Sequence, residues 1–68
     1  MSLQLGLGVL DKLRRLQANG ISVTIFTDGS SFTGLITEIG ELTVTLKIDA
    51  TLVDIFYNQI RAVQHAPV

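Results

Sequence analysis

The sequence predicts a mainly β domain, in which one amino-terminal helix is followed by a small, strongly bent antiparallel barrel of five strands. The spacing of apolar residues is helical up to Ala18 and changes to strict alternation from Ile21. Glycine marks the turns and also interrupts one strand at Gly34, which favours a bent sheet over a flat one. We expect the 68 residues to form a single domain, 1–68.

The first segment predicts an amphipathic helix over about residues 6–18. Apolar side chains recur on one side of it at helical spacing: Val9, Leu10, Leu13 and Leu16. Asp11, Arg14 and Arg15 fall on the opposite, polar side. Asn19-Gly20 predicts the end of the helix, because Gly readily adopts the left-handed conformation that follows a last helical turn.

The remaining chain predicts five strands, at about residues 21–27, 31–39, 42–49, 52–57 and 60–64. Asp28-Gly29, between the first two strands, is a strong hairpin signal. Gly34 predicts a bend or a close approach of another backbone segment. The fourth strand is rich in apolar residues and contains neither Pro nor Lys, so as an unpaired edge it would invite aggregation.

The composition predicts an oligomer. A chain of 68 residues buries only about 60 % of the surface that its unfolded form exposes. It has no Cys and only one His, His65, so neither disulfides nor a structural zinc site can supplement the core. Charged residues make up 16 % of the chain, against about 25 % in ordinary soluble domains. We therefore expect a partner to cover part of the surface.

The cellular location is expected to be the cytoplasm. No apolar run is long enough to span a membrane, and no signal peptide is evident at the amino terminus. Charge is divided unevenly, since residues 1–20 carry three cations and one anion (net +2), whereas residues 21–68 carry two cations and five anions (net −3). The acidic barrel argues against nonspecific binding of duplex nucleic acid, while the helix retains a local basic patch.

A series of segments resembles the Sm-like superfamily, and bacterial Hfq in particular: Leu13-Arg14-Arg15, Val23–Phe26, Asp28-Gly29, Phe32–Ile36 and Leu42–Lys47. Tyr57–Val63 is also similar to the ends of short bacterial Sm-like proteins of unassigned function. The resemblance implies an Sm-like (SH3-like) barrel. It also implies a homo-oligomeric ring of five to seven subunits, with a hexamer expected, in which the fourth strand of one copy pairs with the fifth strand of the next.

The resemblance further implies a uridine-binding pocket near the pore, which the family builds from a Tyr-Lys-His segment. The matching residues are Tyr57, Asn58 and Gln59, so the Lys and the His are absent. Losing the cation removes contacts to phosphate or base. Asn58 and Gln59 can still hydrogen-bond base edges; the alternative is a structural turn. A Gln-Phe pair of the family is matched by Glu41-Leu42, which loses a stacking ring and adds a repelling carboxylate.

On the opposite face of the ring, the family stacks adenines near an aromatic residue of the first strand and the hairpin after it. The residues at these positions are Phe26, Gly29, Ser31 and Thr33. Phe26 points away from the apolar side of its strand, so something has to cover its ring. Either a neighbouring subunit or the bent sheet covers it, or a base stacks on it.

Arg14 and Arg15 resemble the arginine pair on the rim of Hfq rings, which contacts RNA phosphates. Their position on the polar side of the helix fits that role. Asp11 lies three and four residues before them and can form ion pairs within the helix, so a solvated helix face is the alternative.

No residue pattern points to catalysis, because His65 lies near the carboxyl end and Ser30-Ser31 has no evident base. Asp49 and Asp54 flank a turn, but two carboxylates at this spacing are usually surface charge. We expect no enzyme activity, no cofactor and no metal. The leading hypothesis is an Sm-like ring that binds single-stranded RNA in an Hfq-like manner. The alternative is a structural or protein-interaction ring scaffold without RNA function.

Overall fold

The computed structural model describes residues 7–67 and confirms the predicted class, one helix followed by five antiparallel strands. The helix α1 spans Leu7–Ala18. The strands are β1 (Val23–Thr27), β2 (Ser30–Ile39), β3 (Thr43–Ile48), β4 (Thr51–Phe56) and β5 (Ala62–His65). A single 3-10 turn, Tyr57–Gln59, lies between β4 and β5.

The end of α1 explains why β1 starts two residues later than the alternation suggests. Gly20 has a φ of 65°, and its amide donates to the Gln17 carbonyl at 3.1 Å. The Ile21 amide donates to the Leu16 carbonyl at 3.0 Å. This pair of bonds is the Schellman motif, in which the residue after the glycine satisfies a helix carbonyl. Ile21 therefore caps the helix and packs against the core instead of joining the sheet.

The segment between β4 and β5 also differs from the sequence expectation. The predicted strand bounds leave only Asn58-Gln59 between β4 and β5. The structure instead has a 3-10 turn over Tyr57–Gln59, closed by the Ile60 amide donating to the Tyr57 carbonyl at 3.1 Å. Ile60 consequently stays outside the sheet, and β5 begins at Ala62. The strand continues to His65, which lies opposite Val23 of β1.

The strand order is β4-β3-β2-β1-β5, so β4 and β5 are the two edges of one sheet. The sheet is bent at β2, whose first half pairs with β1 and whose second half pairs with β3. Gly34 permits the bend: a Cβ there would clash with the Lys47 carbonyl and lie 2.9 Å from Cγ1 of Ile48. A register shift between Ile36 and Glu38 adds a bulge, which increases the local twist.

The core lies inside the bend and is closed on one side by α1. The helix contributes Leu13 and Leu16, which are almost completely buried. The strands contribute Val23, Ile25, Ile36, Val44, Leu46 and Ile55. The core residues of β1 alternate along the strand, so its intervening side chains lie on the outer surface, where a site can be built.

Candidate nucleic-acid interface

An outward-facing patch is formed where β1 lies between β2 and β5. Because Val23 and Ile25 point into the core, Thr24 and Phe26 point outward. The strand register places Ser31 and Ala62 on either side of Phe26. We call this surface the Phe26 patch; its members are Thr24, Phe26, Ser31, Thr33, Ala62 and Gln64.

The chemistry of the Phe26 patch is that of one aromatic ring among small, uncharged groups. Phe26 is 37 % exposed. Its cross-strand neighbours Ser31 and Ala62 are too small to cover the ring, so part of it stays accessible. Thr24 and Thr33 share a hydrogen bond between their hydroxyl oxygens at 2.8 Å. A planar, polar-edged ligand fits such a surface, since it can stack on the ring and bond to the hydroxyls and the Gln64 amide.

The hairpin beside the patch is a two-residue turn, Asp28-Gly29. Gly29 has a φ of 96°, which an L side chain rarely adopts, so glycine is required there by the turn. The Thr27 hydroxyl donates to the Ser30 carbonyl at 3.2 Å across the turn. Gly29 is therefore next to the Phe26 patch and has a conformational role in addition to its predicted place in a binding site.

The Tyr57–Gln59 segment, here called the Tyr57 turn, is separate from the patch. The Tyr57 phenol donates a hydrogen bond of 2.7 Å to the Gly40 carbonyl, and the Tyr57 amide donates to the Leu42 carbonyl at 3.0 Å. Burial raises the pKa of Tyr57, and the positive charge of Arg14 opposes part of that rise. Tyr57 is thus bonded to the β2–β3 turn, while Asn58 and Gln59 are exposed.

The helix arginines lie on the exposed side of α1, as the periodicity predicts. Arg14 approaches Asp11 with 3.7 Å between Nη1 and Oδ1, which is a loose, solvated pair. Arg15 lies in the last turn of the helix, where a cation interacts favourably with the helix dipole. Both side chains remain accessible to a phosphate, and Arg14 is close enough to Tyr57 to affect its titration.

An ion pair that was not predicted joins the hairpin to the β4–β5 connection. Nε and Nη2 of Arg61 each donate to one carboxylate oxygen of Asp28 at 3.0 Å. The two residues are 33 positions apart, so no local spacing could have indicated the contact. The same applies to Ala62 and Gln64, whose place beside β1 follows from a non-local strand pairing.

Residues 7–67 also contain a cavity, but neither a metal-binding cluster nor a membrane-spanning helix. A cavity of about 250 Å³ opens between the hairpin and β4, with Thr27, Phe32, Val53, Ile55 and Arg61 among its lining residues. No group of three or more His, Cys, Asp or Glu side chains is placed to hold a metal ion in this range. No helix in it is long and apolar enough to cross a membrane.

Comparison with known proteins gives a structural match only. No protein-family model matches the sequence, and no curated protein matches it. The fold is similar to a crystal structure of the pleiotropic translational regulator Hfq, with a TM-score of 0.77 and 24 % sequence identity. The match covers 93 % of this chain and 100 % of that chain. The chain therefore has an Sm-like fold that resembles Hfq.

Proposed function

We propose that this protein is a non-catalytic, cytoplasmic subunit of a homo-oligomeric ring, and that the ring binds single-stranded RNA through the Phe26 patch. The observation that carries the RNA proposal is the accessible ring of Phe26 between Ser31 and Ala62. A base can stack on such a ring irrespective of sequence, and nearby hydroxyl and amide groups can bond to its edge.

Ring formation is supported by the two sheet edges. Within the described residues, neither β4 nor β5 has a partner on its outer side. The β4 edge exposes Leu52 and Phe56, at 63 % and 50 %, and it contains no Pro or Lys that would block further pairing. Pairing β4 of one copy with β5 of the next would satisfy both edges and would close into a ring if the rotation per step divides a full turn. Five to seven subunits are proposed, with six the expected number.

Affinity for phosphate is proposed to come from Arg14 and Arg15, repeated in every subunit. The net charge of one chain is −1, so the proposed ring has no broad positive field. Binding should therefore depend on stacking more than on counterion release, and its salt dependence should be shallow. This distinguishes the proposed ring from general nucleic-acid binders, which lose most of their affinity as salt rises.

The test combines assembly and binding. The oligomeric mass of the purified protein is measured by light scattering, and labelled oligo-A and oligo-U are then titrated at near-physiological salt. We expect a ring mass and tighter binding of oligo-A, because the Phe26 patch offers an exposed aromatic ring while the Tyr57 turn lacks the family's cation. A monomeric mass would overturn the ring, and no binding of either oligomer at high micromolar protein would overturn the RNA function.

The second candidate function is a structural or protein-interaction ring without RNA. Tyr57 favours it, because its phenol is bonded to Gly40 instead of being free for a base. Arg61, a cation beside the same segment, is held by Asp28. A ring that binds neither oligonucleotide would leave this candidate as the function of the protein.

A further inference from the structure

Arg61 uses its whole guanidinium to join two parts of the fold. Nε and Nη2 donate to the two oxygens of Asp28 at 3.0 Å, the bidentate geometry that makes Arg–carboxylate pairs specific. Nη1 donates to the Asn58 carbonyl at 3.1 Å. The Arg61 amide donates to the Phe26 carbonyl at 2.7 Å. We call the Asp28–Arg61 pair, together with the bond to Asn58, the Arg61 clamp.

The clamp acts on the connection between the two edge strands. A flat five-stranded sheet would place its edges about 19 Å apart, whereas residues 57–61, three of them in a 3-10 turn, span about 16 Å at most. The connection can therefore join β4 to β5 only because the sheet is rolled. Its first residue is fixed to the β2–β3 turn through Tyr57, and its last is fixed to the β1–β2 hairpin through Arg61.

We propose that the Arg61 clamp sets the angle between the β4 and β5 edges and thereby fixes the number of subunits in the ring. This inference rests on the proposed ring function. If β4 of each copy pairs with β5 of the next, the rotation per step is set by the twist between the paired strands together with the angle between the two edges within one chain. A bidentate pair at one end of the connection, braced against the 3-10 turn by Nη1, restricts that angle to a narrow range.

A single ring size requires the rotation per step to be precise, and every subunit of the ring contains its own clamp. Rings of five, six and seven subunits differ by only about 10° in rotation per step. A small widening of the allowed angle in each chain would therefore permit more than one closed ring. The clamp is exposed, with 52 % of the Arg61 and 80 % of the Asp28 side chain accessible, so it contributes little to the stability of the single chain. Its loss should change assembly without unfolding the domain.

The experiment measures the ring-size distribution of Arg61→Gln by native mass spectrometry, beside thermal unfolding followed by circular dichroism. We expect one ring size for the unaltered protein and at least two sizes for the variant, with little change in melting temperature. Arg61→Lys keeps the charge but loses the fork, so it should also give mixed rings. Asp28→Asn is a second variant, which removes the negative charge of the pair at a solvent-exposed position. Asn before Gly suits the same two-residue hairpin turn, so the hairpin should be kept.

Asp11→Asn is the matched control, because it removes the other ion pair in residues 7–67, a single contact on α1 that joins no strands. It should leave one ring size. The proposed role of the clamp in setting ring size is overturned if Asp28→Asn and Arg61→Lys both form the single ring size of the unaltered protein. A monomeric unaltered protein would instead overturn the ring itself. The two failures are therefore distinguished by the first measurement on the unaltered chain.

Discussion

The Phe26 patch and the Tyr57 turn both place an aromatic residue beside uncharged polar side chains, yet the fold uses their polar groups differently. In the patch, Thr24 and Thr33 bond to each other, and the ring of Phe26 has no polar atom that needs a partner. In the turn, the Tyr57 phenol donates to a backbone carbonyl that the β2–β3 turn would otherwise leave free. One region offers its aromatic surface to solvent, while the other uses its aromatic residue to brace the fold.

This difference shows that residue type alone is a weak guide to a binding site. The half-buried Tyr57 donates its hydroxyl proton to the Gly40 carbonyl, so turning that hydroxyl toward a ligand would break a bond that the fold uses. A phenylalanine side chain on the outer face of a central strand has no polar group that must be bonded within the protein. We therefore expect changes in the patch to affect ligand binding, and changes in the turn to affect stability.

Gly34→Ala is expected to have the largest effect, because it damages the bend on which both regions depend. The added Cβ would meet the Lys47 backbone and Ile48 Cγ1, the latter at 2.9 Å. Overpacking of this kind costs about 1–3 kcal/mol or more, and each kcal/mol lowers the melting temperature of a small domain by about 4–8 °C. Differential scanning calorimetry compares the melting temperature of the variant with that of the unaltered protein.

Gly8→Ala is the matched control for this prediction, since a Cβ at Gly8 meets nothing within 4 Å. Its position in α1 should make the change neutral or stabilising, by up to about 1 kcal/mol. An unchanged melting temperature for Gly34→Ala would show that β2 can bend without glycine. It would contradict the view that the Phe26 patch and the Tyr57 turn both depend on Gly34.

Phe26→Ala is expected to have the next largest effect, confined to the patch. Base stacking on an aromatic ring contributes about 1–3 kcal/mol per base, so the affinity for oligo-A should fall by about 5- to 150-fold. Leu35→Ala is the control, because Leu35 is an exposed apolar residue of β2 outside the patch. Fluorescence anisotropy measures both. Equal affinities for the two variants would show that no base stacks on Phe26.

The fold could be predicted from the sequence because its signals are local. Helical spacing, alternation, Asp28-Gly29 and Gly34 each act within a few residues, and together they predict the helix, the hairpin and the bend. Alternation of apolar residues predicts Ile21 in a strand, because the alternation carries no information about the helix cap, which uses the Ile21 amide. The family resemblance predicts Ser31 and Thr33 as site residues, and the hairpin places them opposite Phe26 and Thr24. Ala62, Gln64 and the Arg61 clamp instead depend on pairings that no short window contains.

Tyr57→Phe is expected to reduce stability and to leave RNA binding unchanged, the reverse of Phe26→Ala. Removing the hydroxyl leaves the Gly40 carbonyl without this donor, a loss of about 0.5–1.5 kcal/mol for a typical hydrogen bond. Melting temperature and oligo-A affinity are measured on the same preparation. Reduced binding of oligo-U at unchanged stability would contradict the bracing role and return Tyr57 to the candidate site.

The pH dependence of stability follows from the raised pKa of Tyr57. The folded protein holds the phenolic proton more tightly than the unfolded chain does. The stability gained from this group is therefore complete below the ordinary tyrosine pKa of about 10 and is lost as pH rises through the higher folded value. Because the chain has one Tyr and no Trp, ultraviolet absorbance follows this titration directly, and Tyr57→Phe should abolish that component of the pH dependence.

Asp11→Asn is expected to have the smallest effect, a gain in RNA affinity of no more than a few-fold. Asp11 holds Arg14 in a loose pair at 3.7 Å, and exposed pairs of this kind contribute about 0.2–1 kcal/mol. Releasing Arg14 adds a free cation, which should also steepen the dependence of affinity on salt. Arg14→Gln should act in the opposite sense, weakening oligo-A and oligo-U alike. If both variants bind with the affinity and salt slope of the unaltered protein, α1 is a solvated face and the Phe26 patch binds RNA without it.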